Sequence, residues 1–466
     1  MKQISLSFFV AMVFLFPSCQ VKIMPEGLKI PLEALRYHDS LAQHRYDVDD
    51  KDIQHFLELK SNTKAGSVTD IKTLHSEDII VAYLITYEKG WKLLSADKRM
   101  PPVIAFSDDA LFPSNNLAIK QFLASDLETI ECLKKGLISV PYDDSIAVQN
   151  LTLWARITKD EDIYRLKTKA DGNPLEDEKY WELVDSEWII DSVDAPARLI
   201  QTRWHQEAPW NRFSPKISPS PTETLRDPAG CSAIAVSQML YFLHGKIGLP
   251  SSSPTDGYCT GYSQNLTDTT FHQEFYNDSA AAWGNMAISM GDIGKSDTLS
   301  ALLIGSVGKA MAMQYSPERS LAPIVNSLPL FRSFGIASSD FVSFNGNTVY
   351  SSIKSAGMPV IVSAYITENQ GGHSFLADAY EDVYHVYDNT YVWTSYTQNN
   401  LYQYGETKVV RDTIKDSYVK MIWGYGDPVQ DNVLYSINAN HFQTYIDGTL
   451  HDFRYRRKMI YGFDSL

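Results

Sequence analysis

Basic residues are in short supply in this sequence. The 41 lysines and arginines stand against 56 aspartates and glutamates, which gives a formal net charge of −15. Proteins that bind nucleic acid through electrostatics need a positively charged surface, so the composition argues against nucleic acid as a partner. An acidic balance favours solubility and does not by itself indicate any other partner.

Long hydrophobic runs are also missing, with one exception near the N-terminus. Residues 8–16 form an apolar run that follows Lys2 and ends at Pro17-Ser18-Cys19. A basic residue, a short apolar region and a small residue indicate an export signal that is too short to span a membrane. Because a cysteine follows the small residue, we expect residues 1–18 to be a lipoprotein-type signal peptide and Cys19 to carry the lipid. Ordinary secretion is the alternative, and a membrane is expected as a partner only through that lipid.

Cysteine is scarce as well, with four residues in a chain of 466: Cys19, Cys132, Cys231 and Cys259. This number does not suggest a disulfide framework in a chain of this length. Cys132 falls in a predicted helix and is most simply a core residue, whereas Cys259 lies in a loop where free and paired states both remain open. The histidines show no metal-ligand spacing and no phosphate-binding loop occurs, so we expect neither a metal nor another cofactor.

The length and the 44% hydrophobic fraction predict two domains after the export signal. Residues 19–157 have the pattern of a small α+β module. Its predicted elements are a hairpin, a strand and an amphipathic helix, at 79–96, 102–107 and 116–136. Lysine, aspartate and glutamate dominate residues 158–194, which predicts an exposed linker that a protease can reach. Residues 195–466 are richer in aromatic residues and form the second predicted domain.

A predicted helix in the second domain begins at a cysteine. Small residues fill the first turn of residues 230–242, and apolar residues then recur every three or four positions on one face. His244-Gly245 supplies a stop signal. At the first helical position, Cys231 meets unpaired N–H groups and the positive end of the helix dipole, which favour the thiolate and lower the thiol pKa. A small buried residue at the start of a core helix is the competing interpretation.

A histidine far downstream favours the catalytic interpretation of Cys231. His373 follows Gly371-Gly372 and a buried-type strand at 360–365. The separation, 373 − 231 = 142, lies within the roughly 130–150 residues between nucleophile and base in papain-like peptidases. A lone histidine is more often a turn or core residue. Together with a cysteine at a helix start, however, this spacing predicts a thiolate–imidazolium couple.

Several segments resemble the streptopain family of papain-like cysteine peptidases, and they occur in the order that the family has. They are GWKLLSADKR at 90–99, TRWHQEAPWN at 202–211, GCSAIAVSQM at 230–239, residues 301–315, GHSF at 372–375 and WGYG at 423–426. The first resembles the inhibitory propeptide, and the others resemble parts of the catalytic domain. The resemblance covers most of residues 75–465. It implies an α+β fold in which a papain-like catalytic domain is preceded by a small α+β propeptide domain.

The resemblance also implies roles for five residues. Cys231 would be the nucleophile, and His373 the base that holds it as thiolate and later protonates the leaving amine. Gln206 would donate a hydrogen bond to the oxyanion, although a glutamine in a loop is by default a surface residue. Trp423 would pack beside His373 and shield its hydrogen bonds from water. Gly372 would let the substrate backbone pass close to the site.

The chain departs from the pattern of the family near the turn at 423–426. Three residues differ: Ile422 stands where the family usually has asparagine, Tyr425 replaces the second tryptophan, and Asp427 replaces the last glycine. The loss of asparagine removes a side chain that would orient His373. An insertion at 387–416 also separates the histidine strand from Trp423, and Asp388 or Asn389 within it would be substitute polar partners.

These observations predict an exported cysteine endopeptidase zymogen that hydrolyses protein or peptide substrates. Its own propeptide, residues 19–157, would inhibit it until cleavage within 158–194. A cell-envelope lipoprotein, or a secreted protein after processing, is the expected location. The alternative is a catalytically weakened or inactive surface binding or inhibitor lipoprotein that keeps the peptidase fold. A transglutaminase-like acyl transferase, which shares the Cys–His couple, is a third interpretation.

Overall fold

The computed structural model describes the following residues: 46–58, 65–114, 116–138, 140, 144–158, 179–217, 224–249, 283–364, 372–397, 400–426, 430–439, 443–446, 449–452 and 457–466. The predicted signal peptide, Cys19, Cys259 and Asp427 lie outside these residues. No helix within the described ranges is both long enough and apolar enough to cross a bilayer.

The described chain combines helices with a large sheet. The helices are α1 Asp50–Glu58, α2 Leu117–Lys134, α3 Ser145–Thr158, α4 Cys231–Ile247, α5 Asp297–Ala310, α6 Ser327–Ser333 and α7 Gly346–Ala356. The strands are β1 Val68–Ser76, β2 Ile79–Tyr87, β3 Trp91–Ser95, β4 Val103–Ser107, β5 Lys179–Asp194, β6 Ile336–Ala337, β7 Val342–Ser343, β8 Val360–Ala364, β9 His373–Thr397, β10 Asn400–Ile422, β11 Leu434–Ser436, β12 Gln443–Ile446, β13 Thr449–Asp452, β14 Arg457–Ile460 and β15 Asp464–Ser465.

Eleven of the strands form one sheet in which all described ladders are antiparallel. Its order is β1-β2-β3-β4-β11-β10-β9-β8-β14-β7, and β5 pairs with the distal part of β9. Helices pack on this sheet, and the strands from each half of the chain stay together along it. An antiparallel sheet with helices packed on its faces is the α+β class. The fold class predicted from the sequence is therefore confirmed.

The hairpin, strand and helix predicted for the N-terminal module are confirmed as β2 with β3, β4 and α2. Two elements of the module were not predicted. Strand β1 is an edge strand whose first six side chains are exposed, so it shows no apolar alternation. Helix α3 follows a recognisable N-cap, since the Asp144 carboxylate accepts the backbone N–H groups of Ile146 and Ala147 at 3.1 and 2.8 Å.

The N-terminal module and the second half of the chain share one sheet and one core. Strand β4 pairs with β11, which continues the sheet from one half into the other. Phe122 of α2 packs edge-to-face against Phe375, Trp423 and Tyr435, with ring centroids 5.9, 6.0 and 4.9 Å away. Such aromatic pairs contribute energy beyond the area they bury. Helix α2 is therefore part of the core on which the start of β9 rests.

The region predicted as an exposed linker is strand in its second half. Residues 179–194 form β5, which pairs with β9 from Lys179 opposite Ser395 to Asp194 opposite Asp382. Residues 159–178 lie outside the described part of the chain. The sequence pattern missed β5 because charged residues occur throughout it, and several of its side chains are exposed. The insertion at 387–416 forms the distal part of the β9–β10 hairpin, which β5 extends to three strands.

Helix α4 is longer than the sequence predicted. The expected stop at His244-Gly245 was wrong, because the helix continues to Ile247. Gly248 adopts a left-handed conformation with φ of +70°, and its N–H donates to the carbonyl of His244 at 3.2 Å. A glycine inside a helix costs only about 1 kcal/mol, so Gly245 is tolerated there, and the αL glycine ends the helix.

Candidate active site

Cys231 and His373 meet because each begins a secondary-structure element. Cys231 is the first residue of α4, His373 is the first residue of β9, and both are buried. Gly230 precedes the helix with φ of +89°, and a Cβ at this position would lie 2.6 Å from Cε of Met313. The methionine can move, but the positive φ favours glycine at this position because an L side chain would be strained there. Gly230 supplies no side-chain cap, so the first N–H groups of α4 keep their partial positive charge beside the cysteine.

The surroundings of Cys231 favour the thiolate. Burial by itself raises the thiol pKa, but three groups lower it: the imidazole of His373, which also hydrogen-bonds to the thiol, the N–H of Ser374, and the guanidinium of Arg319. The net result is a pKa of about 7. The Ser374 N–H lies 3.4 Å from Sγ of Cys231. A large fraction of the thiol is therefore ionised near neutral pH, which is what a nucleophilic cysteine requires.

A backbone carbonyl orients the imidazole of His373. Nε2 lies 2.6 Å from the carbonyl oxygen of Trp423. A carbonyl oxygen can only accept, so Nε2 carries the proton and donates it, which leaves Nδ1 for the thiol. Ile422, at the position of the asparagine in the family, is buried in the core. The side-chain partner is absent from that position, but the next residue supplies a carbonyl in its place.

The substitute partners considered within the insertion do not reach His373. Asp388 and Asn389 lie on the distal part of β9, roughly 50 Å along the strand from His373 at about 3.3 Å per residue. Asp388 is paired with Arg411, which donates to both carboxylate oxygens at 2.7 Å. The interpretation of these residues as orienting groups was therefore wrong.

Two aromatic rings pack on the imidazole. Trp423 is fully buried, and its ring centroid lies 6.4 Å from that of His373. Tyr425 stacks almost parallel to His373, with centroids 4.9 Å apart and planes inclined by 4°. Its hydroxyl lies 3.4 Å from Nδ1, and burial raises its pKa to about 12, so it stays protonated. In the sequence, Tyr425 is notable only as a departure from the pattern of the family. Its position two residues after Trp423 was the signal that it lies beside His373.

A cavity of about 280 Å³ opens onto the couple. Cys231, His373, Gln206 and Tyr425 all line it. The backbone carbonyl of Gln206 accepts the N–H of Ala229 at 2.8 Å, which ties the segment at 204–211 to the approach to α4. Gln206, 25 residues upstream of Cys231, therefore lines the same cavity as the cysteine.

The N-terminal module contributes to the same cavity. Ala118 and Gln121 of α2 line it together with Cys231. Both polar atoms of the Gln121 amide are buried and have no hydrogen-bond partner among the described residues. An unpartnered buried amide is costly, so these atoms are available to a polar group that enters the cavity. Helix α2 therefore forms part of the wall of the cavity that opens onto the couple.

Arg319 is a site residue that the sequence did not reveal. It is half-buried, it lines the cavity, and its Nη2 donates to the carbonyl of Gly372 at 2.6 Å. Gly372, predicted to contact substrate, therefore lies at the edge of the site and precedes His373. An arginine in an irregular segment has no sequence pattern that marks it as a neighbour of a cysteine 88 positions away.

Among the described residues, no group of His, Cys, Asp and Glu side chains is arranged to hold a metal ion.

Replacement of Arg319 by methionine should raise the pKa of Cys231, because the positive charge that stabilises the thiolate is removed. At pH 6.5 we expect alkylation of Cys231 by iodoacetamide to slow by roughly two- to fivefold, with the midpoint of the pH–rate profile displaced upward. Peptide-level mass spectrometry reports Cys231 separately from the other cysteines. The control is Arg332→Met, an exposed arginine on α6. An unchanged midpoint in Arg319→Met would contradict the assignment.

One comparison with known proteins concerns the chemistry of this site. The model of the Peptidase C10 family matches residues 204–409, a range that contains both Cys231 and His373 and ends before Trp423. No curated protein matches the chain. The solved structures that match include a mutant fragment of prointerpain A from Prevotella intermedia, with 16% identity, coverage of 85% of this chain and 99% of that one, and a TM-score of 0.42. The family match, which covers less than half of the chain, supports a cysteine-type peptidase.

Proposed function

We propose that the chain is the zymogen of an exported cysteine endopeptidase that hydrolyses protein or peptide substrates. The observation that carries this proposal is the buried Cys231–His373 couple, in which the thiol pKa falls to about 7 beside a cavity. A thiol ionised near neutral pH, paired with an imidazole, is the arrangement of nucleophilic catalysis by cysteine. The match of residues 204–409 to the Peptidase C10 family supports the same chemistry.

Each group of the site has a role in the proposed reaction. Sγ of Cys231 attacks the carbonyl carbon of the scissile peptide, and a C–S bond forms while the carbonyl oxygen becomes an oxyanion. The side-chain amide of Gln206 and the N–H groups at the start of α4 donate to that oxygen. His373 gives its Nδ1 proton to the leaving amine as the C–N bond breaks. The same nitrogen then activates the water that hydrolyses the thioester. Trp423 keeps solvent from the Nε2 hydrogen bond, and Gly372 lets the substrate backbone approach.

The N-terminal module supplies the inhibition in this proposal. Ala118 and Gln121 of helix α2 form part of the wall of the cavity beside Cys231, so α2 would restrict the access of a substrate backbone to Sγ. Residues 19–157 would then be the propeptide. Cleavage within 159–178 would leave β5 paired with β9 in the mature enzyme, since β5 begins at Lys179.

Cys231→Ala and His373→Ala should each abolish cleavage of a protein substrate such as casein by the processed enzyme. The first variant lacks the nucleophile, and the second lacks the base that holds it as thiolate. We expect each to lower kcat by at least about 10³-fold, as is typical when a member of a nucleophile–base couple is removed. The measurement is release of acid-soluble peptides over time.

The matched control is His244→Ala, which removes a partly buried histidine of α4 that stacks on Trp283 and does not line the cavity. Its activity, measured after the same processing, should remain within about twofold of the parent because only packing is altered. Undiminished cleavage by Cys231→Ala would overturn the peptidase proposal. No cleavage by the parent in any processed form would favour a binding protein that keeps the fold.

Export and lipidation at Cys19 complete the proposal. The support is the N-terminal pattern of Lys2, the apolar run at 8–16 and Ser18 before Cys19. Expression in a bacterium fed a radiolabelled or alkyne-tagged palmitate should label the full-length chain and place it in the membrane fraction. Cys19→Ala should lose the label. Equal labelling of both proteins, or of neither, would contradict lipidation at this residue.

A further inference from the structure

We infer that Asp431 is a positioning residue for catalysis, which fixes the Trp423 backbone so that the Trp423 carbonyl orients His373. The inference rests on the proposed function, because it concerns how the imidazole of that reaction is held. The family resemblance assigns no role to Asp431, and the residue lies outside residues 204–409, which the family model matches.

The geometry at Trp423 links the two groups through a single residue. The Trp423 N–H donates to Oδ1 of Asp431 at 3.0 Å, and the Trp423 carbonyl oxygen lies 2.6 Å from Nε2 of His373. The two bonds lie on either side of one Cα atom, so the peptide groups before and after it are both fixed. Trp423 has no exposed surface. Without Asp431, its N–H would be buried with no acceptor, which costs about 1–3 kcal/mol.

The residue after Trp423 explains why this backbone needs an external partner. Gly424 has φ of +74°, and a Cβ there would lie 3.3 Å from Cγ2 of Ile234. The chain leaves the β10 ladder at Ile422, so the ladder no longer holds the Trp423 peptide. A glycine at the next position allows many backbone conformations. The β-bridge between His205 and Tyr425 holds the turn two residues further on, and the hydrogen bond to Asp431 restrains the Trp423 peptide itself.

Asp431 is itself held in place by the segment that opens the second domain. Its backbone carbonyl accepts Nη1 of Arg198 at 2.6 Å, and its Oδ2 lies 3.8 Å from Nη1 of Arg203. Burial raises the pKa of Asp431 to about 6, although the Trp423 N–H and the two guanidinium groups lower it. A buried carboxylate is retained at this cost only where hydrogen bonds and cations compensate it.

The same arginine joins Asp431 to the strand that carries His373. Nε of Arg198 donates to Oδ2 of Asp378 at 3.1 Å, and that oxygen also accepts the N–H of Ile200 at 3.2 Å. Asp378 is fully buried and follows His373 by five residues on β9. Arg198 therefore ties together β9, which supplies the imidazole, and the segment of Asp431, which holds the carbonyl that orients it.

The test compares Asp431→Ala with Asp431→Asn in the processed enzyme. Alanine removes the acceptor for the Trp423 N–H, whereas asparagine keeps an Oδ1 in the same place. We expect alanine to lower kcat on one peptide substrate by about 10- to 100-fold with KM changed less than about threefold, because misplacement of a catalytic group lowers the chemical step. Asparagine should restore kcat to within about threefold of the parent.

The matched control is Asp292→Ala. Asp292 also accepts a backbone N–H, from Ile288 at 3.1 Å, and it does not line the cavity. This variant should lose thermal stability while its kcat stays within about twofold of the parent. A second readout needs no turnover: in Asp431→Ala the pH midpoint for alkylation of Cys231 should rise, because a mobile imidazole stabilises the thiolate less.

Equal kcat for Asp431→Ala and the parent would overturn the inference, as would equal impairment of the alanine and asparagine variants. If Asp431→Ala does not fold, the test rests on Asp431→Asn. A folded Asp431→Asn whose kcat is lowered more than tenfold would overturn the inference. An Asp431→Asn variant that keeps the kcat and the alkylation midpoint of the parent would support it. Failure of the proposed function is distinguishable, because the parent would then show no cleavage that depends on Cys231, and the alkylation profiles would still report on Asp431.

Discussion

The hydrogen bond between Nε2 of His373 and the carbonyl of Trp423, 2.6 Å long, is the contact on which the site depends. It fixes which nitrogen carries the proton and therefore which nitrogen faces the thiol of Cys231. A backbone group performs this task, so the side chain at 422 has no polar role and Ile422 can enter the core. The departure from the pattern of the family thus does not leave the imidazole without a partner. The group that orients the imidazole is therefore the main-chain carbonyl of Trp423 and not a side chain at position 422.

The N-terminal module is coupled to this contact through packing. Phe122 of α2 touches both Phe375, two residues after His373, and Trp423. On the same helix, Ala118, one turn before Phe122, and Gln121, the residue before it, line the cavity. The helix that lines this cavity therefore also packs on Trp423, whose carbonyl orients His373. Aromatic pairs of this kind contribute energy beyond the area they bury.

The sequence predicted those parts of the structure that depend on residue type and spacing. Cys231 at a helix start, His373 on a strand and the hairpin at 79–96 each have such a pattern, and all three are found. Strand β5 was missed because its charged residues resemble a linker, and its partner lies about 200 positions away. Arg319 and the Ser374 N–H were missed for a similar reason. A guanidinium or a backbone N–H brought to a thiol by distant segments has no local signature, and only the fold reveals it.

Thiol labelling before and after cleavage in 159–178 tests the central claim most directly. The soluble chain from Gln20 onward would be treated with an epoxide-type cysteine-peptidase inhibitor, both intact and after limited proteolysis, and the labelled residues would be mapped by mass spectrometry. We predict strong labelling of Cys231 only after cleavage and release of the N-terminal module, with the cleaved His373→Ala variant unlabelled as the control. Absence of label on Cys231 after that release, or equal labelling of the parent and the His373→Ala variant, would contradict a covered and reactive Cys231–His373 couple.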